Sequence, residues 1–321
     1  MDKVVITLPV PEKLLEPFRE KSDIWIWSEP PITKAQLAAW ITDATGLLCS
    51  LAVPIDRSLI MQAKALKVIS TVSVGVDHID VAAATERSLP VGHTPGVLVD
   101  SAADLTLALM LAVTRRLPEA DRWIRRNKWK DGWQSDLFLG TDLSKARVGV
   151  VGLGPIGRAV IRRLQGFGCK VVCWNRTPRV IDDTEMVDLE TLFATSDIVT
   201  LHTALTEETL NLVSRERLAK MSDNAVLINT GRGGLVDEEA LIDELASGRL
   251  RAGLDVFENE PLLENHRLMG FDNVVLLPHV GSATESTRMA MMARAVENLR
   301  AGLAGEQVAH CANAEIYPPV R

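Results

Sequence analysis

The chain has 321 residues, 47% of them hydrophobic and 24% charged, the balance of a globular protein long enough for two domains. A net charge of -7 argues against nucleic acid or an anionic membrane surface as the main partner. The longest apolar run, residues 105–113, is too short to span a bilayer, and Met1-Asp2-Lys3 leads into a strand-like run rather than a signal peptide, so a cytoplasmic location is expected.

Taken from the amino end, residues 3–8, 23–27, 46–51, 67–72 and 90–92 read as short strands separated by helical patterns such as 33–41 and 59–65. Strand alternating with helix predicts a parallel sheet, and five such units form a complete α/β layer of their own. Residues 100–114 predict a long apolar helix with Asp100 and Ser101 as caps, closed by Arg115, Arg116 and Pro118. The stretch 119–139 holds Trp123, Trp129 and Trp133 among Arg and Lys, too many large aromatics for a surface linker, and predicts an interface.

Residues 148–151 form an apolar, β-branched run of the kind buried in a parallel sheet, and they feed into Gly152-x-Gly154-x-x-Gly157. Pro155 suits a helix's first turn; Ala159, Val160, Ile161 and Leu164 give that helix an apolar face, and Gly166 and Gly168 stop it. A second strand follows at 170–174. In this strand, turn, helix and strand setting the three glycines are a dinucleotide fingerprint: Gly152 for the tight turn, Gly154 for approach of a pyrophosphate, Gly157 for close packing of helix on strand. The second strand ends in Asn175-Arg176-Thr177-Pro178-Arg179, with no carboxylate for a ribose 2′-hydroxyl. A neutral side chain, a hydroxyl and two guanidiniums suit a phosphate dianion, so NADPH is expected over NADH.

Further strands are predicted at 197–202, 225–229, 250–256 and 273–277, with helices at 214–221 and 237–247 and a short strand near 186–188. The last helix, 283–304, starts after Ser282 and returns to the first domain. Ligands of open α/β sheets bind beyond the carboxyl ends of the strands. There lie Arg232, Glu260 and His279, on the loops after three strands. Arg232 is the type to bind a carboxylate and polarise a keto oxygen, His279 to donate a proton as hydride arrives, and Glu260 to hold the imidazole and favour its charged form. Cys49, Cys169, Cys173 and Cys311 are scattered and read as buried thiols, with no metal site expected.

These motifs, with Ser73-Val74-Gly75-Val76-Asp77-His78, His93-Thr94-Pro95-Gly96, Asn229-Thr230-Gly231-Arg232-Gly233, Gly253-Leu254-Asp255-Val256-Phe257 and Leu277-Pro278-His279-Val280-Gly281-Ser282, resemble the D-isomer-specific 2-hydroxyacid dehydrogenase family through nearly the whole chain. Gly46-Leu47-Leu48-Cys49 and Arg115-Arg116-Leu117-Pro118-Glu119-Ala120 resemble its glyoxylate/hydroxypyruvate reductase branch. The resemblance implies a catalytic set of Arg232, Glu260 and His279, with His279 the general acid. It implies that the N–H groups of Val74 and Gly75 receive a substrate carboxylate and that Ser282 lines the site. It further implies that Trp133, on an arm swapped across a homodimer, limits substrate size. Cofactor contacts are expected at Gly152, Gly154, Pro155, Ile156, Gly157, Asn175, Arg176, Thr177, Thr203, Thr230 and Asp255, the last toward the nicotinamide carboxamide. Where the family usually has Pro after Leu201-His202-Thr203, this chain has Ala204.

The expectation is therefore an α/β protein of two domains: a flavodoxin-like substrate domain from 1–100 plus 284–321, and a Rossmann doubly wound nucleotide-binding domain from 101–283. The expected reaction is NADPH-dependent reduction of small 2-oxo acids, glyoxylate to glycolate and hydroxypyruvate to D-glycerate, with NADH a weaker donor. The alternatives are a broad-specificity 2-ketoacid reductase of the same family and, from another class, a dehydrogenase-shaped protein that senses NAD(H).

Overall fold

The computed structural model describes residues 1–27, 32–179, 181 and 184–318. The chain divides into two compact units, Met1–Leu98 with Thr284–Arg321, and Val99–Ala283.

In the first unit, β1 (Asp2–Ile6), α1 (Glu12–Leu15), β2 (Ser22–Ile26), α2 (Lys34–Ile41), β3 (Gly46–Cys49), α3 (Arg57–Gln62), β4 (Val68–Thr71), α4 (Val81–Glu86) and β5 (Val91–Gly92) alternate, as the sequence predicts. The strands pair in parallel in the order β2-β1-β3-β4-β5, the flavodoxin-like order. Both faces are covered, which is why β3 and β4 read as uninterrupted buried runs. Leu37, Ile41, Leu59, Ile60 and Ala83 pack with Val5, Leu47 and Ile69 on one face. On the other, Met291, Ala295 and Leu299 of the chain's last helix pack with Val4, Leu48 and Val68.

The second unit runs α5 (Val99–Thr114), α6 (Leu117–Arg125), β6 (Arg147–Val151), α7 (Pro155–Gly166), β7 (Lys170–Trp174), β8 (Glu185–Met186), α8 (Leu189–Thr195), β9 (Ile198–Leu201), α9 (Arg215–Lys220), β10 (Val226–Asn229), α10 (Glu238–Ala246), β11 (Arg251–Leu254) and β12 (Val274–Leu276). The last helix, α11 (Glu285–Leu303), belongs to the first unit. The seven strands order as β12-β11-β10-β9-β6-β7-β8, with the reversal of direction at β6, the strand that carries the glycine turn. Five helices, α3, α4, α8, α10 and α11, start in the same way: Asp56, Asp80, Asp188, Asp237 and Thr284 each accept from a backbone N–H three residues on.

Some boundaries differ from the sequence reading. α5 begins at Val99, so Asp100 and Ser101 lie inside its first turn instead of capping it. Their side chains go to Arg163, at 3.0 Å, and to the Gly281 carbonyl, at 2.9 Å. Pro118 does not close that helix: Arg116 takes a left-handed turn at φ 53° and Pro118 opens α6, where a missing N–H costs nothing. α11 is capped by Thr284, two residues beyond Ser282. On the tryptophan arm, Leu117, Ile124, Trp129, Trp133 and Leu139 are exposed, Trp133 by 84%. Trp123 is held against Phe138 edge to face. Cys49 and Cys173 are buried and Cys169 and Cys311 half-buried; among the described residues no cluster of His, Cys, Asp and Glu is arranged to hold a metal.

Candidate active site

Sheet register decides which loops share an edge. Val151 pairs with Leu201, Leu201 with Asn229, Asn229 with Leu254, and Leu254 with Leu276. The residues that follow, Gly152, His202, Thr230, Asp255 and Leu277, therefore leave the second sheet at one level, on the carboxyl edge where α/β proteins bind ligands.

At β6 the chain turns through Gly152, whose φ of +101° strains any side chain and whose Cβ would lie 2.6 Å from the His202 carbonyl oxygen. A Cβ on Gly157 would sit 2.0 Å from the Gly152 oxygen, so helix and strand meet closer than an alanine allows. A Cβ on Gly154 would meet nothing within 4 Å. The turn is thus tight where backbones touch and open where a pyrophosphate would approach, at the start of the twelve-residue helix α7 with Pro155 and Ile156 in its first turn. Nearby, the Thr203 hydroxyl is buried with no hydrogen-bond partner among the described residues, a polar atom that a bound dinucleotide could satisfy. These features fit a dinucleotide. His202, beneath the turn, shares a 2.9 Å hydrogen bond between Nε2 and the Thr200 hydroxyl, and burial pushes its pKa down to about 3, so the ring is neutral.

The end of β7 is more committed than its sequence implies. Asn175 Oδ1 accepts the Leu153 N–H at 2.9 Å, and Nδ2 donates to the Thr177 carbonyl at 2.7 Å, so the amide splices the glycine turn to the basic turn. Arg176 is exposed and paired with Glu208.

Beyond β10, Asn229 is almost fully buried and shapes the Arg232 loop from inside. Its Oδ1 accepts the Gly231 N–H at 3.0 Å and its Nδ2 donates to the Arg232 carbonyl at 2.8 Å. A Cβ on Gly233 would fall 1.8 Å from the Phe257 carbonyl carbon, so this loop is pressed backbone to backbone on the segment that leads to Glu260. Thr230 shares a 2.9 Å hydrogen bond with Thr106 of α5. Asn229 was legible only as part of a motif; its signal is an Asn ending a strand of apolar residues, where a buried amide must find partners.

His279 Nδ1 donates to Glu260 Oε2 at 2.7 Å, and Glu260 Oε1 accepts the Phe257 N–H at 3.1 Å. Burial alone would raise the Glu260 pKa; the hydrogen bond and charge of His279, the Phe257 N–H and Arg232 outweigh it and hold the carboxyl below its ordinary value. Glu260 is therefore an anion at neutral pH. His279 itself adopts a left-handed φ of 54°, uncommon for a residue other than glycine. The conformation is held by Asp255, which is buried. Its backbone carbonyl takes the His279 N–H at 2.9 Å, and its two carboxylate oxygens take those of Val280, at 2.7 Å, and Gly281, at 2.8 Å. Burial raises the Asp255 pKa against those two N–H bonds. Asp255, expected from the sequence toward the nicotinamide carboxamide, is in the structure the pin of the His279 loop. Ser282 follows on the same loop, half-buried.

In the first unit, β4 ends in a loop where the Ser73 hydroxyl donates to the Gly75 carbonyl at 2.7 Å and shares a 2.9 Å hydrogen bond with Thr71. The N–H groups of Val74 and Gly75 make no hydrogen bond among the described residues. A backbone pair of this kind at a strand end can take an anion.

The model of the D-isomer specific 2-hydroxyacid dehydrogenase NAD-binding domain matches residues 107–281. A glyoxylate reductase of Thermofilum pendens is 45% identical over 98% of this chain and 95% of its own length. A glyoxylate reductase/hydroxypyruvate reductase of Mus musculus is 41% identical over 95% of each. The solved structure of an NADPH-dependent glyoxylate/hydroxypyruvate reductase from Sinorhizobium meliloti, in complex with NADP and malonate, superimposes with a TM-score of 0.87 at 31% identity, covering 100% of this chain and 99% of that one. The chain belongs to the D-isomer specific 2-hydroxyacid dehydrogenase family, oxidoreductases that act on the CH–OH group with a nicotinamide cofactor.

Proposed function

We propose that this protein reduces glyoxylate to glycolate and hydroxypyruvate to D-glycerate, with NADPH preferred over NADH. The observation that carries the reading is the His279–Glu260 pair, at 2.7 Å, on a loop pinned by a buried carboxylate. The names of the similar reductases from Thermofilum, mouse and Sinorhizobium support the substrate class, and the last of these supports the cofactor.

Gly152, Gly154, Pro155, Ile156 and Gly157 hold the pyrophosphate; Thr203, Thr230 and Asp255 hold the nicotinamide half; and Asn175, Arg176 and Thr177 receive the 2′-phosphate. The nicotinamide, when bound, supplies the hydride. Arg232 binds the 2-oxo acid and polarises its keto oxygen, and the N–H groups of Val74 and Gly75 receive its carboxylate. His279 delivers a proton from Nε2 to the developing alkoxide, because Nδ1 is committed to Glu260. Glu260, an anion, accepts the Nδ1–H hydrogen bond and keeps the ring oriented. Ser282 lines the same site. Residues 1–100 with 284–321 serve as the substrate domain and 101–283 as the nucleotide domain. The exposed apolar arm with Trp133 pairs with a second copy in a homodimer.

Initial rates of NADPH and NADH oxidation with glyoxylate, hydroxypyruvate and pyruvate test this. Glyoxylate and hydroxypyruvate should be reduced fastest, with NADPH ahead. Replacing His279 by Ala should cost about 100-fold to 10,000-fold in kcat with NADPH binding unchanged. Turnover retained in that variant removes His279 as the acid, and a preference for NADH overturns the cofactor reading alone.

A further inference from the structure

We infer that His93 is a positioning residue for substrate: with the backbone of Thr94, it orients the two peptide groups whose N–H bonds receive the substrate carboxylate. The inference rests on the proposed role of Val74 and Gly75 in carboxylate binding.

Each peptide unit is planar and trans, so its C=O and N–H point in opposite directions, and fixing one fixes the other. The Ser73 carbonyl accepts the Thr94 N–H at 2.8 Å. That bond sets the Ser73–Val74 peptide plane and turns the Val74 N–H away from Thr94. The Val74 carbonyl takes a 2.9 Å bond from His93 Nδ1. A carbonyl oxygen only accepts, so Nδ1 carries the proton and donates. That bond sets the next plane and turns the Gly75 N–H away from His93. Both carbonyls face one short segment, residues 93–94, so both N–H groups face the opposite side together. The third carbonyl in the run, Gly75, is held by the Ser73 hydroxyl at 2.7 Å. All three carbonyls of the loop are thereby occupied while the N–H groups of Val74 and Gly75 are left to an anion.

The clamp is itself fixed. The His93 N–H donates to the His310 carbonyl at 2.9 Å, and the His93 carbonyl accepts from Asn298 Nδ2 at 2.8 Å. Asn298 is buried on α11, close enough that a Cβ on Gly92 would lie 2.6 Å from its own Cβ. Arg294, one turn earlier on α11, bonds the Pro95 carbonyl. His93-Thr94-Pro95 is thus bolted to the last helix, and its side of the carboxylate loop is rigid. The His93-Thr94-Pro95-Gly96 motif, which the catalytic set does not use, acquires this role.

Three variants and a substrate pair test it. Glyoxylate is compared with glycolaldehyde, an aldehyde of similar size that lacks the carboxylate. His93→Ala should raise the KM for glyoxylate by about 10-fold, the effect of one orienting hydrogen bond, with kcat and the KM for NADPH moving less than about 2-fold. The KM for glycolaldehyde should not change. His93→Asn puts an amide N–H where Nδ1 stood and should restore the glyoxylate KM to within about 3-fold of wild type, whereas His93→Gln, whose amide lies one bond further out, should not. A purely structural role would lower Tm in all three variants and leave the ratio of the two KM values alone. If wild type prefers glyoxylate and His93→Ala keeps that preference in full, the orienting role is overturned and carboxylate binding stands. If wild type itself does not distinguish the two aldehydes, the carboxylate reading falls and the inference falls with it.

Discussion

The turn after β6 and the loop after β4 both present backbone N–H groups at the carboxyl end of a parallel strand, yet they are held by different means. After β6 the twelve-residue helix α7 starts within four residues of the strand, and its own hydrogen-bond ladder and dipole orient the free N–H groups of its first turn. Glycine is what that arrangement demands, because Gly152 and Gly157 lie in contact. After β4 the next helix starts ten residues on and has only six residues. No helix orients those peptides, so side chains do: Ser73 and His93 occupy the carbonyls, with the Thr94 N–H between them. A turn whose N–H groups a helix orients can thus be written in glycines alone, whereas a loop that orients two N–H groups without a helix needs a clamp assembled from distant sequence.

The comparison breaks most sharply at Gly157. Adding one methyl there places carbon 2.0 Å from the Gly152 oxygen, a contact that only backbone movement relieves. Gly157→Ala should weaken NADPH binding by at least about 100-fold, by loss of the turn's geometry. Titration of NADPH fluorescence measures this; affinity within a few fold of wild type would mean that close packing does not set the turn.

Which parts of this were readable from residues follows from the same contrast. The glycine turn was legible because its physics is local: an apolar run, three glycines and an apolar-faced helix all lie within 20 residues or so. Arg232, Glu260 and His279 were legible because strand ends can be located from periodicity and the sheet brings them to one edge. Asn229 and Asp255 as loop-shaping groups were not, because nothing in their own neighbourhoods says which N–H groups they meet. Asp255 reaches Val280 and Gly281 across 25 and 26 residues of sequence. His93 reaches Val74 across 19 and is held by Asn298 across 205. The strand ends expected from the sequence lie within two residues of those observed, but Pro118, expected as a stop, opens a helix: proline signals a boundary without saying on which side.

A second test moves along the dinucleotide turn to the end of β7. Asn175→Asp keeps an acceptor for the Leu153 N–H, removes the donor to Thr177 and adds a negative charge where a 2′-phosphate is proposed. The ratio of kcat/KM for NADPH over NADH should fall by about 10-fold to 100-fold, since like charges placed together cost several kcal/mol and a carboxylate favours a ribose hydroxyl. An unchanged ratio would take Asn175 out of cofactor choice.

The glycine turn also gives stability a pH dependence. His202 lies under the glycine turn with its pKa pushed down to about 3 by burial, while in the unfolded chain it titrates near 6.5. Between those values the unfolded state binds the extra proton, so stability falls as pH falls, by at most about 1.4 kcal/mol per pH unit. His202→Gln can keep the bond to Thr200 without a titrating ring. Its Tm should lose less than wild type between about pH 7 and pH 5; parallel losses would show that the imidazole does not resist protonation in the fold.

The smallest effect tests the most exposed contact. Arg176 is proposed to read the 2′-phosphate, yet it pairs with Glu208 at the surface, where both side chains are more than two-thirds exposed. An ion pair so hydrated contributes little, but it competes with a phosphate for the same guanidinium. Glu208→Gln should therefore tighten NADPH about 2-fold to 4-fold and leave NADH unchanged, matching the 0.2–1 kcal/mol typical of an exposed pair. Both the gain and its confinement to NADPH matter. A gain shared by the two cofactors would report only the removal of one negative charge near a polyanion, whereas a gain for NADPH alone requires that the freed guanidinium meet the one group by which the cofactors differ. Raising the salt concentration should erase that gain, because exposed charges are screened. The grip of the Gly152–Gly157 turn at Gly157, set by steric contact, should survive the same change.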